Sequence, residues 1–241
     1  MTADSSTPPR WVAWAIHGYT ALGLLLAAGM AVLIVQGTDQ ALRGALLLMA
    51  ASLAVDASDG TLARRFRVAE ALPEVDGRRL DDLIDFHTFT TLPLLFIWRM
   101  DALPGALGLV LLAALLASAY GFARTEAKTE EGYFLGFPSY WNVVAFYLFF
   151  LRPPPELTGA IVLFFAILTI VPWTYLHPAR RQPFFRLTLP LGVAWGGLVV
   201  AVLLGWVDPT PWVGMSLAFP AYYMAVSWCV TFRNGRAGAR R

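Results

Sequence analysis

The 241-residue sequence has one cysteine, few charged residues and no polar stretch long enough to form a separate soluble domain. The single cysteine, Cys229, excludes an internal disulfide and any cysteine-rich metal site. Charged residues make up only 14% of the chain and hydrophobic residues 58%, unlike the composition of an ordinary soluble domain. No internal repeat or low-complexity segment is evident. We therefore expect a single membrane-embedded domain covering residues 1–241.

Apolar runs of membrane-spanning length recur along the chain, since a bilayer core about 30 Å thick requires roughly 20 helical residues per span. The runs are rich in Leu and Ala and show little strand alternation, which favours helices over a barrel. We predict an all-α integral membrane protein with about eight transmembrane helices. Their approximate bounds are 11–36, 42–63, 80–99, 102–123, 138–151, 157–176, 188–206 and 211–232. A polar segment, 1–10, precedes them and a basic tail, 233–241, follows them.

Positive residues are distributed unevenly between the predicted loops. Fifteen of the eighteen Lys and Arg residues fall on one side of the predicted helices, and only Arg43, Arg99 and Arg152 fall on the other. Positive residues in short loops tend to stay on the cytoplasmic side of a membrane. Both termini and the segment 56–85 are therefore expected to face the cytoplasm.

Four aspartates in the segment 56–85 occur at helical spacing. Asp56 and Asp59 are three residues apart and Asp81 and Asp85 are four apart, so each pair shares one face of its helix. A carboxylate inside a membrane costs about 2.5–3.5 kcal/mol on insertion scales, and four together require positive charge nearby. Two divalent cations would balance them, and oxygen ligands favour Mg²⁺, Mn²⁺ or Ca²⁺ over zinc. By spacing alone, Asp82 could also share the face of Asp85.

A glycine and an arginine accompany these acids. Gly60 has no side chain and permits a ligand to approach the backbone, and Arg64 lies one turn further along. Carboxylate-bound metals next to a guanidinium suit a diphosphate, because both neutralise its oxygens. In the alternative interpretation, the aspartates are ordinary helix-end charges paired with Arg64, Arg65, Arg78 and Arg79.

The segment resembles the signature of the CDP-alcohol phosphotransferase family, D-x2-D-G-x2-A-R, then a spacer, then G-x3-D-x3-D. The matching positions are Asp56, Asp59, Gly60, Ala63, Arg64, Gly77, Asp81 and Asp85. Twelve residues separate Arg64 from Gly77, a longer spacer than most members have, and in this the chain resembles the CDP-diacylglycerol:choline phosphatidyltransferase branch. The stretches HGYTALG at 17–23, AKTEEGYFLGFPSYWN at 127–142 and WTYLHPAR at 173–180 are similar to that branch too.

The resemblance implies the membrane-helical fold of the family, CDP-diacylglycerol and choline as substrates, and CMP as a product. It also implies a multi-pass location in the bacterial cytoplasmic (inner) membrane, with the active site facing the cytoplasm, and contacts with membrane lipids. We expect a homodimer, and we do not expect a nucleic-acid partner. The implied cofactor is Mn²⁺ or Mg²⁺, with two ions bound.

The resemblance also assigns roles to individual positions. Metal ligands are expected at Asp56, Asp59, Asp81 and Asp85. Contacts with CDP-diacylglycerol are expected at Gly60, Ala63, Arg64 and Gly77. Asp85 is also expected to be the catalytic general base.

Choline carries a quaternary ammonium group, which proteins commonly hold with aromatic faces and nearby negative charge. Candidate choline-binding residues are Tyr120, Glu131, Tyr133, Tyr140, Trp141 and Asn142. Aromatic side chains are also common in the belts at membrane interfaces, so a belt position is the alternative for each of them.

Other acceptors and another class of protein remain open at this point. Serine, glycerol phosphate or an inositol compound are alternative acceptors, and a phosphorylated one would be served by further cations. Those available are Arg124, Lys128, Arg180 and Arg181. A choline or cation transporter is the alternative from another class, since acids within a membrane also occur in transporters.

Overall fold

The computed structural model describes residues 8–125, 129, 132–177 and 184–238, with side chains as far as Arg233. Most of these residues are helical. The α-helices are α1 Arg10–Gln36, α2 Asp39–Arg65, α3 Val68–Ala71, α4 Gly77–Asp85, α5 Leu92–Arg99, α6 Leu109–Ala123, α7 Trp141–Leu151, α8 Pro155–Ile170, α9 Phe185–Leu203, α10 Pro209–Ser216 and α11 Ala218–Gly238. A π-helical segment, Phe86–Thr91, joins α4 to α5, and a 3-10 turn, Gly105–Gly108, precedes α6.

Within the described residues, five helical stretches are long and apolar enough to cross a bilayer. They are Arg10–Gln36, Asp39–Arg65, Gly105–Ala123, Phe185–Leu203 and Pro209–Arg233. Their outer surfaces expose large apolar side chains such as Leu25, Val35 and Leu116, which suits contact with lipid rather than water. Two further apolar helices, α7 and α8, are shorter, with 11 and 16 residues. The chain is therefore a multi-pass, mainly helical membrane protein.

The helix predicted for 157–176 ends earlier than expected, at Ile170. Val171 precedes Pro172 and is extended, with ψ of 124°, because the proline ring disfavours a helical conformation in the residue before it. The chain then forms a two-residue strand, β2 Thr174–Tyr175, which pairs antiparallel with β1 Phe134–Leu135. Strands this short leave no periodic pattern in a sequence and are not predictable from it.

The helix predicted for 80–99 is a helical stretch from Gly77 to Arg99 with a π-helical segment in its middle. Pro93 explains the change of register, because it has no N–H to donate and its ring would clash with the carbonyl of Phe89 in a regular α-helix. Hydroxyl groups bond to the rearranged backbone: Thr88 donates to the Ile84 carbonyl at 3.1 Å and Thr91 to the Phe86 carbonyl at 3.3 Å. Such π-segments are frequent near functional sites.

The main core extends from α1 and α2 through α5 and α7 to α6, α8, α9 and α10, and it fixes the first two helices against each other. Met30, Ile34, Ala45, Met49 and Phe96 are almost completely buried there. The apolar contacts hold the end of α2 and the start of α4 beside the first turns of α1, which is where the acidic residues meet.

Candidate active site

The spacer between the two halves of the acidic signature is a short, well-anchored connection. After α2, Arg67 adopts a left-handed conformation with φ of 47° and precedes α3. Val68 of α3 and Leu72, just after it, pack on α1. Arg10 of α1 forms an ion pair with Glu74. The pKa of Glu74 is lowered, first by a hydrogen bond from its own backbone amide and then by Arg10. The spacer is thus attached to α1.

The capping of α4 sets the position of the second pair of aspartates. Asp76 precedes the helix, and its side chain accepts a hydrogen bond from the Arg79 amide at 3.1 Å. This is the usual way in which an aspartate satisfies a free amide at a helix start. Asp81 and Asp85 then follow at a separation of four residues, on the side of α4 that faces α2.

The four signature aspartates converge in the folded chain. Asp56, Asp81 and Asp85 each contribute a carboxylate oxygen to a group in which all three oxygens lie within 4.8 Å of one another. Asp59 is 4% exposed and lies within hydrogen-bonding distance of the Asp81 carboxyl. Asp56 and Asp85 are in similar contact. Carboxyl groups this close require a proton or a cation between them.

Asp82 does not join this group. Its side chain is exposed and lies 4.0 Å from the guanidinium of Arg78, one turn earlier on α4. Spacing alone had left Asp81 and Asp82 as alternatives, and the contacts of the folded chain distinguish them.

Gly60 and Arg64 lie together at the edge of the acidic cluster. A Cβ atom at residue 60 would be 3.2 Å from Nη1 of Arg64, so the guanidinium folds back over the glycine. Arg64 also donates to the Thr61 hydroxyl at 3.2 Å and interacts electrostatically with Asp59. Ala63 packs beside the small cluster formed by α1 and α3. The structure therefore places an exposed guanidinium next to the acids.

Gly77 is one of the points at which α4 packs closely against α1. A Cβ atom at residue 77 would be 2.8 Å from Cε1 of His17, closer than real Cβ atoms come to their neighbours. His17 is only 7% exposed, and its Nε2 atom has no hydrogen-bond partner among the described residues. Gly77 is thus required by packing between helices.

Tyr140 is a predicted choline residue whose environment includes the acids. It interacts electrostatically with both Asp56 and Asp85. Three aromatic rings surround it at centroid distances of 6.4 Å for Phe89, 6.2 Å for Phe137 and 6.2 Å for Tyr223. The acidic cluster therefore has an aromatic wall on one side.

The other candidate choline residues occupy several environments. Tyr120 is 52% exposed and lies under the guanidinium of Arg124, 5.6 Å from its ring centroid. Tyr133 is buried in the aromatic cluster that includes Phe137 and Tyr175.

Two more candidates belong to the packed start of α7. Trp141 is fully buried and donates its indole N–H to Ser118 at 2.8 Å. The Oδ1 atom of Asn142 accepts from the Val143 amide at 2.8 Å. Glu131 lies outside the described residues, as do Lys128, Arg180 and Arg181.

Two residues outside the sequence-predicted set contact the site. Thr20, 8% exposed, donates its hydroxyl to Asp59 from the facing side of α1. It lies three residues after His17 in the stretch HGYTALG, which is the only signal that pointed to it. Tyr223 reaches the site from α11, donates to the Leu176 carbonyl at 2.9 Å and contacts Tyr140. No local pattern connects it with aspartates more than a hundred residues earlier.

The cluster fits hard divalent cations. Its donors are carboxylate oxygens on two facing helices, and no His or Cys is part of the group found among the described residues. Such donors suit Mg²⁺ or Mn²⁺ and would be electrostatically unfavourable if ionised without a cation. Arg64 at the edge provides a further positive group for a phosphate.

Comparisons with known proteins connect this geometry to a family. A family model described as "CDP-alcohol phosphatidyltransferase" matches residues 18–174, which include the whole acidic cluster. A phosphatidylcholine synthase of Pseudomonas aeruginosa is 36% identical over 218 residues, covering 89% of this chain and 90% of the relative. One of Borreliella burgdorferi is 33% identical over 184 residues, covering 76% and 77%. One of Brucella melitensis is 30% identical over 225 residues, covering 93% and 80%.

Proposed function

Because this chain belongs to the CDP-alcohol phosphatidyltransferase family, we propose that it transfers the phosphatidyl group of CDP-diacylglycerol to choline, forming phosphatidylcholine and releasing CMP. The observation that carries the proposal is the convergence of Asp56, Asp59, Asp81 and Asp85 beside Tyr140. It is supported by similarity over most of the chain to proteins named phosphatidylcholine synthase.

The acidic cluster would hold the divalent ions that the family generally requires. Asp56, Asp59, Asp81 and Asp85 are the proposed ligands of two Mg²⁺ or Mn²⁺ ions. When bound, such ions neutralise the diphosphate and stabilise the charge that develops on the transferred phosphoryl group and on the leaving CMP. The proposed role of Thr20 is to orient the Asp59 carboxylate by its hydrogen bond.

The donor would bind with its nucleotide at the C-terminal end of α2 and its acyl chains in the lipid. Gly60 permits the diphosphate to approach the α2 backbone, and Ala63 lies on the same side, one turn further along. The Arg64 guanidinium is exposed and able to reach a phosphate oxygen. Gly77 contributes indirectly by letting α4 approach α1.

Asp85 is the proposed general base. A choline hydroxyl is a weak nucleophile at neutral pH and needs a group that takes its proton as it attacks. The choline oxygen forms a bond to the phosphorus of the phosphatidyl group, the bond from that phosphorus to the CMP oxygen breaks, and the hydroxyl proton passes to Asp85. Asp56 lies against Asp85, so a proton taken there remains within the acidic cluster.

Tyr140 is the proposed centre of the choline site. A quaternary ammonium donates no hydrogen bond and is attracted by aromatic faces and by negative charge. Tyr140 combines both, since it stands among aromatic rings and beside Asp56 and Asp85. Tyr120, Glu131, Tyr133, Trp141 and Asn142 remain in the proposed acceptor region with Tyr140.

We further propose that the protein is a homodimer in the bacterial cytoplasmic membrane, with eight spans, both termini and the active site on the cytoplasmic side. The excess of Arg and Lys on that side of the helices supports this orientation.

The acceptor is tested by supplying the purified protein with CDP-diacylglycerol and Mn²⁺ together with choline, serine, glycerol phosphate or inositol phosphate, and measuring CMP. We expect choline to give CMP well above the reaction without acceptor. CMP release with another alcohol and none with choline would overturn the choice of acceptor. Uptake of labelled choline into liposomes in the absence of CDP-diacylglycerol, without CMP release, would instead indicate a transporter.

A further inference from the structure

The three arginines predicted on the non-cytoplasmic side meet at one end of the helices. Arg43 lies in the second turn of α2, Arg99 ends α5 and Arg152 follows α7. Two adjacent cavities, each of about 390 Å³, open there and share Asp39, Phe149 and Arg152 as wall residues. This volume lies in the range of about 300–1,000 Å³ that ligand sites occupy.

The location is remote from the acidic cluster. Arg43 and Asp59 are on the same helix, sixteen residues apart, which corresponds to about 24 Å at ~1.5 Å per residue. Exposed tryptophans surround this end of the molecule, namely Trp98, Trp206 and Trp212. Exposed tryptophans gather where a protein crosses the headgroup layer of a membrane. The cavities therefore lie at headgroup level, on the face opposite the acids.

The guanidinium groups at the first cavity are held by aromatic rings. The Arg43 guanidinium lies over Phe150, 5.5 Å from the ring centroid, and that of Arg152 lies over Phe149 at 5.8 Å. The two phenylalanine rings touch edge to face at 5.1 Å. Stacking of this kind fixes the planar guanidinium while leaving its N–H groups free to bind bidentately to a phosphate.

The charges at this cavity do not cancel. Asp39 lies 2.9 Å from Arg152 and neutralises it. Among the described side chains, none forms an ion pair with Arg43. The wall of the first cavity thus contains two arginines and one carboxylate, a net charge of one positive. A ligand with one negative charge, as a phosphodiester has, would balance it.

We propose that this cavity binds the phosphodiester of an anionic glycerophospholipid from the leaflet opposite the active site. Arg43 contacts the phosphate directly, Arg152 is shared between the phosphate and Asp39, and the acyl chains extend along the apolar outer surface of the helices. The site is separate from the proposed donor site and does not depend on the proposed reaction.

The proposal is tested by native mass spectrometry of the full-length protein, titrated in detergent with dioleoylphosphatidylglycerol. We expect Arg43→Gln to weaken retention of this lipid about tenfold or more, because hydrogen bonds to a charged group are lost. Arg43→Lys keeps the charge and should give an intermediate value. Arg186→Gln, which removes an exposed arginine at the start of α9, is the matched control and should bind like the parent.

Parallel titrations distinguish the sources of the phosphate. Dioleoylphosphatidylcholine should bind more weakly than dioleoylphosphatidylglycerol, and inorganic phosphate should not displace the lipid. Equal binding of both lipids, displacement by inorganic phosphate, or unchanged retention by Arg43→Gln would each overturn the proposal. CMP release by Arg43→Gln should remain at the parent level. Parental CMP release would show that the variant is folded and that its weaker lipid binding is not a consequence of lost catalysis.

Discussion

Gly77→Ala adds a single methyl group and tests whether the contact between α4 and α1 sets the geometry of the acids. The backbone at Gly77 is in a conformation that alanine adopts readily, so only space opposes the substitution. The added Cβ would be 2.8 Å from Cε1 of His17, whereas carbon atoms in contact are separated by about 3.5–4.0 Å. Because the His17 ring is buried and has little room to move aside, we expect the two helices to separate by about 0.7–1.2 Å.

This displacement would move Asp81 and Asp85 away from Asp56 and Asp59, because the first pair is on α4 and the second on α2. A misplacement of about 1 Å at reacting groups can cost on the order of 100-fold in rate. We expect kcat/KM for choline-dependent CMP release to fall by about that factor, with the protein still folded by size-exclusion chromatography and by its thermal unfolding temperature.

A matched control and a rescue make the test specific. Gly18→Ala adds the same methyl group on α1 next to His17, at a position with no atom within 4 Å, and should leave activity unchanged. His17→Ala removes the ring that the new methyl group would strike. Adding Gly77→Ala to the His17→Ala variant should therefore lower activity by a smaller factor than adding it to the parent. Parental activity in Gly77→Ala, or a double variant with purely additive losses, would refute the reasoning.

Four further outcomes are expected from the site. Asp85→Asn should lower CMP release about 10²- to 10⁴-fold while binding of labelled CDP-diacylglycerol is largely kept. Asp82→Asn, on the exposed side of α4, is the control and should have little effect. Similar losses in both variants would contradict the assignment of Asp85. Thr20→Val should raise the Mn²⁺ concentration for half-maximal activity about tenfold, because valine removes the hydroxyl that donates to Asp59. Thr20→Ser keeps a hydroxyl and should not raise it. The same Mn²⁺ concentration for half-maximal activity in Thr20→Val and the parent would argue against orientation of Asp59 by Thr20. Tyr140→Leu should raise KM for choline about three- to thirtyfold while Tyr140→Phe stays near the parent value, and an unchanged KM in both would place choline elsewhere. Treatment with EDTA should abolish CMP release and addition of Mg²⁺ or Mn²⁺ should restore it, so full activity in EDTA would exclude an essential exchangeable metal.

Local patterns in the sequence predicted the parts of the site that are local. Spacings of three and four residues place Asp56 with Asp59 and Asp81 with Asp85 on their helix faces, and the structure brings the four together. The same patterns left Asp82 undecided, because its orientation depends on the pairing with Arg78 rather than on spacing. Helix ends were less predictable where proline and short strands intervene.

Contacts between distant segments were beyond prediction from one sequence. Tyr223 contacts Tyr140 from α11, which packs beside β2, and two-residue strands have no periodic signal. The same holds for the three arginines on the opposite side of the helices, Arg43, Arg99 and Arg152. The charge bias predicts the side on which they lie, but their convergence at adjacent cavities follows from the packing of α2, α5 and α7.

The first helix contains none of the signature aspartates and yet fixes how the acids meet. His17, Thr20 and Gly23 are spaced by three residues along α1 and therefore lie on one face. His17 packs on Gly77, the Thr20 hydroxyl donates to Asp59, and Gly23 packs so closely on the Ile84 side chain that a Cβ there would clash with it. These contacts touch α4 before and after Asp81 and touch α2 at Asp59. Because four carboxyl groups repel one another when ionised, the acid-bearing helices would separate without external support, and this face of α1 supplies it by packing and one hydrogen bond rather than by charge.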